Sequence, residues 1–365
     1  MKQIAPQVYE WSQYRPDERV DHNGHFVQAA AGQPGALIDP VALHPGDREH
    51  LAALGGVAAV LLSGMDGREA AWCGREFGCP VLVPQDTPAR AGLEGAEPFA
   101  PGAGLPAGLE AIPLPATASP GEVALYHGPS GTVIAGGAVV GVPAGELSLA
   151  PAGGGGPADE ARTARGLRAL LARPVRRVLV AQGEAILRDA ERALQDLVYR
   201  HDPAAFLLRP DELAWQAPRT KGSRFSRRSA ECSRLLGLKA LDFEVTTVPP
   251  GKQNTLLHRH DGVEEAFVVL DGEGEVQTEG GVFPVRTGDI LGFPPRYQVA
   301  HAIRNTGERV LRFLSFGAWT EPAEAVGLAE YPESGKQLQW APGKYRLLYL
   351  PENLRVDYWE GERLD

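Results

Sequence analysis

The stretch "TLLHRHDGVEEAFVVLDGEGEV", Thr255–Val276, holds two histidines one residue apart, an acidic pair, and an apolar run closed by Gly272 and Gly274. In an extended chain, residues i and i+2 share a face, so His258 and His260 point together. After a hairpin turn at Asp261-Gly262, Glu265, Phe267 and Val269 share one face and Glu264 points the other way. That parity lets Glu265 meet the two imidazoles and sends Glu264 toward solvent. A later stretch, "GDILGFPPRYQVAHAIRN" (288–305), brings a third imidazole, His301. Three imidazoles and one carboxylate suit a single divalent ion, Fe, Mn, Ni, Co or Zn, with positions left open for water or substrate. Burying such a set unpaired would be costly.

Working outward, the segment from about Leu238 to Phe316 contains only short strands separated by proline and glycine turns, such as "FEVTTVPPG" and "VFPVRTGDILGFPP". No helical period survives there, which predicts a β-sandwich or barrel. The pattern upstream is different. "VAAVLL" (57–62), "PVLVP" (80–84) and "RRVLVA" (176–181) read as buried strands. "GREAAWCGREF" reads as a helix between the first two, and a second helix is expected from about Ala158 to Ala172. In "AILRDAERALQDLVYR" (185–200), Ile186, Leu187, Ala190, Leu194, Leu197 and Val198 fall on one helical face. The chain is therefore expected to be α+β with two domains: a layered α/β half over 1–205, a linker over 206–230, a β-barrel over 231–345, and a tail over 346–365 that covers the barrel or a dimer partner.

The bulk numbers set limits on function. A chain of 365 residues with 43% hydrophobic and 22% charged residues is ordinary globular protein. Its net charge of −10 disfavours nucleic acid and anionic membranes as partners. The one locally basic run, "RTKGSRFSRRS" (219–229), reads as a solvated linker. "MKQIAPQVYEW" carries no apolar core of the length a signal peptide needs, and no stretch is long and apolar enough for a membrane span. Cys73, Cys79 and Cys232 are odd in number and lack zinc-finger spacing, so they are read as reduced thiols of a cytoplasmic protein. "GGGG" (153–156) lacks the Lys-Ser/Thr that a phosphate loop requires. His22 and His25 in "DHNGHF" have no second pair to complete a metal site, and His44, His50, His127 and His201 are scattered singly.

The two histidine-bearing stretches resemble the two cupin motifs. The first runs Gly-x5-His-x-His-x(3,4)-Glu-x6-Gly, here Gly251, His258, His260, Glu265 and Gly272, with one extra residue before His258. The second runs Gly-x5-Pro-x-Gly-x2-His-x3-Asn, here Gly288, Pro294, His301 and Asn305. Arg296 replaces its glycine, and the loop before His301 is two residues longer. The resemblance implies a jelly-roll barrel with His258, His260, Glu265 and His301 as ligands of one metal ion, and a homodimer. Leu256, Phe267, Val269, Phe283 and Phe293 are candidates for the substrate pocket, with Tyr297 at its mouth.

The first half resembles the metallo-β-lactamase superfamily, which implies an αββα sandwich. The order of elements carries the likeness: "VYEWSQY", "NGHFV" (23–27), "GALIDPVAL" (35–43), "LGGVAAVLLS", "SPGEVALYHGPSGTVIAGGAVVG" (119–141) and "VLVAQGEAI" (178–186). The ligands do not follow. "LLSGMDGREA" (61–70) stands where the family's His-x-His-x-Asp-His signature belongs, with Asp66 alone matching its aspartate and Gly67 in place of the next histidine. Ala118, Gly137 and Gln182 stand at the remaining ligand positions. Alanine, glycine and glutamine cannot hold zinc or acidify its water, so this half is expected not to be a hydrolase.

The residues support two expected functions. One is a metal-dependent enzyme, an oxygenase-type (such as a dioxygenase) or lyase/isomerase activity on a small, partly apolar organic molecule. The other is a non-catalytic cupin that binds or senses a small ligand, with the first half as scaffold.

Overall fold

The continuous apolar run Val57–Leu61 pairs in parallel with Gly35–Ile38 on one side and Val81–Pro84 on the other, as a strand covered on both faces must be apolar throughout. A computed structural model describes the chain except for residues 65–66, 68, 88–92, 94, 152–158, 320–326, 342–344, 351–353, 356–358 and 360–365, with backbone alone at 327, 340–341, 345–347, 349–350 and 354–355. It divides into two compact units, Met1–Leu207 and Leu208–Asp365. Among the described residues, no helix is long and apolar enough to cross a membrane.

In the first unit that run belongs to a seven-stranded sheet, whose strands Lys2–Ala5, Val8–Arg15, Val20–Gln28 and Gly35–Ile38 are antiparallel and whose strands after Gly35–Ile38 are parallel. A four-stranded sheet comes next in the order Arg177–Val180, Thr132–Ala135, Val123–His127, Leu109–Pro113. The two sheets share one core: Val8, Val27, Ile38 and Leu61 of the first pack with Ala111, Leu125, Ile134 and Leu179 of the second. On the other face of the seven-stranded sheet, helices α1 (Pro45–Ala53) and α2 (Ala70–Phe77) bring Leu51 and Cys73 against Phe26, Leu37 and Val60. Helix α3 (Glu160–Leu167) packs on α4 (Ala190–His201), and α4 touches the strand Arg177–Val180.

The last helix departs from the expectation. It begins at Ala190, while Ile186 bridges back to Val178 and Leu187 is exposed. Asp189 takes a left-handed φ of 52°, which an α-helix cannot accommodate, so the periodic residues before it lie outside the helix. Beyond it, Ala190, Leu194, Leu197 and Val198 form the expected buried stripe. The helix expected over 158–172 is α3 followed by a 3-10 turn, Arg168–Ala172. Arg168, buried there, reaches Asp202 and the carbonyls of Ala204, Ala205 and Leu207, which ties off the end of the unit.

The second unit holds no α-helix among its described residues. A six-stranded sheet runs in the order Arg219–Lys221, Phe225–Glu231, Leu241–Val248, Leu311–Trp319, Val263–Asp271, Ile290–Phe293. A three-stranded sheet (Gly281–Arg286, Glu273–Thr278, His301–Arg304) faces it across a core of Val248, Phe267, Val269 and Phe313 against Val276, Val285 and Ile303. Each such aromatic ring contributes roughly 2–3 kcal/mol by its removal from water. A five-stranded sheet, starting with Arg259–Asp261, completes the unit.

Two readings of this half are corrected. The basic run at 219–229 is not a linker, because Arg219–Lys221 and Phe225–Glu231 form an antiparallel pair at the edge of the six-stranded sheet. Asp261-Gly262 is not a hairpin: Arg259–Asp261 pairs with Gly327–Tyr331, whereas Val263–Asp271 pairs with Leu311–Trp319 and Ile290–Phe293. Gly262, with φ of 85°, is the corner where the chain leaves one sheet for another, a conformation open to glycine. Part of the tail is strand as well, Tyr345–Leu350 and Leu354–Arg355, and Trp359 packs its ring 4.9 Å from Phe225.

Candidate metal centre

A two-residue antiparallel bridge sets the centre. His258 N donates to His301 O at 3.2 Å and His301 N to His258 O at 2.8 Å, so two imidazoles distant in sequence stand side by side with ring centroids 5.0 Å apart. Glu265 comes from Val263–Asp271, on the face it shares with buried Phe267 and Val269, while Glu264 is exposed on the other face. One donor atom each from His258, Glu265 and His301 lies within 4.8 Å of the others. Glu265 Oε2 is 2.9 Å from His301 Nε2 and 3.2 Å from His260 Nε2. His260 is thus beside the carboxylate but stands outside the group of three.

The residues fit a divalent ion on three counts. First, Glu265 Oε2 and His301 Nε2 are buried and, despite their proximity, neither has a hydrogen-bond partner. Second, Nδ1 of His258 lies 2.9 Å from Leu256 O and Nδ1 of His301 lies 3.3 Å from Val299 O. A carbonyl only accepts, so both Nδ1 atoms carry the proton and both Nε2 atoms turn lone pairs inward, as ligating histidines do. Third, burial and the neighbouring His260 and His301 push the His258 imidazole down to about 3, which keeps it neutral. Burial opposes ionisation of Glu265, yet the adjoining imidazoles of His260 and His301 hold its carboxyl well below the usual carboxylate range.

The cavity beside these groups is small, about 10 Å³, close to one water molecule. It is lined by His260, Glu265, His301 and Phe293, with Arg259, Pro294, Pro295, Gln298 and Val299 around them. Of the pocket candidates, Phe293 alone lines it. Phe267 is core, although its ring edge meets His301 at 5.5 Å. Val269 is core, and Leu256 packs in a separate cluster with Phe225, Tyr331 and Leu338. Phe283 is 52% exposed on Gly281–Arg286, outside the core that Val285 of the same strand enters. Tyr297 is 68% exposed on the 3-10 turn Pro295–Tyr297, outside the cavity lining. Two neighbours of the histidines escaped the sequence: Tyr331, stacked 6.0 Å from His258, and Arg259, paired with Glu330. No local signal marks either, since both contacts join segments about seventy residues apart that meet only when Arg259–Asp261 pairs with Gly327–Tyr331.

In the first unit, Asp66 lies outside the described residues. Ala118 and Gly137 bring no side-chain ligand, and Gln182 bridges by its backbone to His22, whose ring meets Glu18 at 2.7 Å. His25 is buried 3.3 Å from Glu10. Among the described residues no group of three or more metal-ligating side chains converges in this unit. A different carboxylate occupies the area. Glu122, fully buried, accepts from Ala138 N at 2.8 Å, and a Cβ on Gly136 would lie 2.5 Å from its Oε1. Nearby, Asp39 accepts from Ser63 N at 2.8 Å and from Ser63 Oγ at 2.5 Å. Burial pushes the Glu122 carboxyl up to about 7, with Asp39 adding to the shift. The signal for Glu122 was the side-chain-free pair Gly136-Gly137, legible once the register of its strand was known.

Comparison with known proteins matches the metallo-β-lactamase superfamily family model to residues 1–200 and the cupin domain model to residues 244–317. A protein of Thermotoga maritima named "Oxalate-binding protein" is 31% identical over 102 residues, which covers 27% of this chain and 82% of the relative. The chain belongs to the metallo-β-lactamase superfamily in its first unit and to the cupin family in its second. An uncharacterized protein of Methanocaldococcus jannaschii is 37% identical over 67 residues, 18% of this chain and 51% of that protein. A solved structure described as a sugar phosphate isomerase from a cupin superfamily, from Silicibacter pomeroyi, is similar at 18% identity, with a TM-score of 0.37, over 41% of this chain and 96% of its own.

Two outcomes are expected. Glu265→Gln weakens binding of a divalent ion by at least the 10–100-fold typical of changes near a metal, while Glu264→Gln leaves it unchanged; competition with a chromophoric chelator reads both, and the reverse result would mean the strand faces the other way. For Glu122, the folded pKa of about 7 lies above the ordinary 4.5, so the stability of its neutral form is present below pH 4.5 and lost as pH rises through 7, on the order of 3 kcal/mol. Glu122→Gln should flatten that loss in urea unfolding curves recorded between pH 4.5 and 8, and an unchanged slope would assign the titration elsewhere.

Proposed function

We propose that the cupin unit binds one divalent metal ion through His258, His260, Glu265 and His301, and that the chain is a metal-dependent enzyme of oxygenase (such as dioxygenase) or lyase/isomerase type acting on a small organic molecule. The observation that carries this is the convergence of His258, Glu265 and His301 donor atoms within 4.8 Å, with Glu265 Oε2 and His301 Nε2 otherwise unpartnered. His260 joins the set by a rotation of its ring about the carboxylate it already meets at 3.2 Å. A bound ion would supply Lewis acidity and vacant coordination positions. The protein groups do the rest: Glu265 stays ionised, the Leu256 and Val299 carbonyls hold the tautomers, and Phe293, Pro294 and Val299 exclude bulk water on one side. The Thermotoga relative is named for binding oxalate, a small dicarboxylate whose oxygens could meet the open positions of a bound ion.

The second reading, a non-catalytic binding cupin, is favoured by that same name, which records binding alone. The first unit we read as an αββα sandwich without hydrolytic metal chemistry, serving as scaffold or partner surface; the layering of α1 and α2 on the outer face of its first sheet supports this. We also read the protein as a cytoplasmic homodimer. Cys73, Cys79 and Cys232 are free, and burial pushes the Cys73 thiol to about 12 and the Cys232 thiol to about 11, as suits inert reduced cysteines. Leu270 and Ile290, 40% and 75% exposed on the outer face of the six-stranded sheet, offer an apolar surface for a second copy.

Elemental analysis of the full chain should find about one ion per chain, and His258→Ala with His260→Ala should abolish it. Oxalate should then perturb the metal-loaded protein, and turnover or its absence separates the enzyme from the binding module. Two ions per chain, or chelator-sensitive hydrolysis of β-lactam, thioester or phosphodiester that persists in the double variant, would overturn the assignment.

A further inference from the structure

We infer that Phe293 is a positioning residue for His301, the aromatic plane that sets how this imidazole presents Nε2; the inference rests on the metal reading above. Phe293 lies directly across from Glu265 in the strand pair, so its ring is delivered to the inward face of the sheet beside the carboxylate. Its centroid is 3.8 Å from that of His301, with 15° between the planes. Phe267 braces both rings edge-on, at 5.9 Å and 71° to Phe293 and at 5.5 Å and 66° to His301.

Such a brace has a task. The terminal torsion of histidine is broad, with no sharp staggered minima, so the ring plane has to be held from outside. His258 has a hydrogen bond of 2.9 Å from Nδ1 to the Leu256 carbonyl. The matching contact of His301, to the Val299 carbonyl, is 3.3 Å and long for a hydrogen bond. The stack supplies what that weaker contact lacks. An aliphatic side chain of similar volume would keep the core filled but offer no plane, and the His301 ring would rock about the direction of Glu265.

The test uses the full chain with Co(II) as the probe. Phe293→Leu and Phe293→Met keep an apolar group of comparable bulk, two variants guarding against one that fails to fold, and Phe293→Tyr restores the plane. Co(II) affinity, by chelator competition, should fall about 10–100-fold in the aliphatic variants, as for other groups that orient a ligand. Their visible Co(II) absorption bands should shift, and Phe293→Tyr should return both to the wild-type values. In the metal-free protein, imidazole ¹⁵N resonances should report one fixed Nδ1–H tautomer of His301 in the wild type and exchange broadening in Phe293→Leu. Wild-type affinity and bands in a folded aliphatic variant overturn the inference while leaving the metal reading intact. A wild-type chain that takes up no Co(II) overturns both.

Discussion

A carboxylate kept in a buried position needs a partner for its charge, and Glu265 stands 2.9 Å from His301 Nε2 and 3.2 Å from His260 Nε2, beside the donor atoms that a cation would share with it. The rest of the second unit is arranged to make that meeting possible. The Val263–Asp271 strand must keep its alternation for Glu265 to face inward with Phe267 and Val269. The corner at Gly262 must turn the chain so that His260, on a different sheet, still reaches the same oxygen. The backbone bridge between His258 and His301 must form for two distant histidines to become neighbours. Each of these is a backbone constraint, and each is costly to satisfy for a purely apolar core that does not need it.

The first unit shows the consequence of removing such a constraint. With alanine, glycine and glutamine at the superfamily's ligand positions, the space at the sheet edge is taken by Glu122, hydrogen-bonded to Ala138 and admitted only because Gly136 has no side chain. Asp39 keeps its bonds to Ser63 at the end of the neighbouring strand. Glu122 Oε1 is met by the Ala138 amide while its Oε2 is buried without a hydrogen-bond partner, and burial raises its carboxyl toward the neutral form. The two halves therefore carry opposite solutions to the same problem of buried charge.

The elements with strong local signals were legible. The parallel strands Val57–Leu61 and Val81–Pro84 announced themselves as unbroken apolar runs, and α2 and α4 as amphipathic periods. The facing of Glu265 and Glu264 could be read from parity alone, because the period of a strand is two. The start of α4 could not be read so well, since apolar residues continue upstream of Ala190 and only the left-handed backbone of Asp189 stops the helix. The basic run at 219–229 looked like a linker because neither Arg219–Lys221 nor Phe225–Glu231 carries an apolar run or an apolar/polar alternation.

What the sequence by itself determined was therefore local: which residue types alternate, which histidines keep their spacing, and which stretches of the first half carry no imidazole. Tertiary structure alone decided which of these side chains touch. Asp261-Gly262 reads as a hairpin in one dimension and is a change of sheet in three, because pairing partners are chosen by contacts far away in the chain. Phe283 and Phe293 look equivalent as aromatic residues in short strands. Both lie on outer strands of their sheets, yet Phe283 is exposed and Phe293 lies on His301, because Phe293 pairs with Glu265 across the sheet and so shares its inward face.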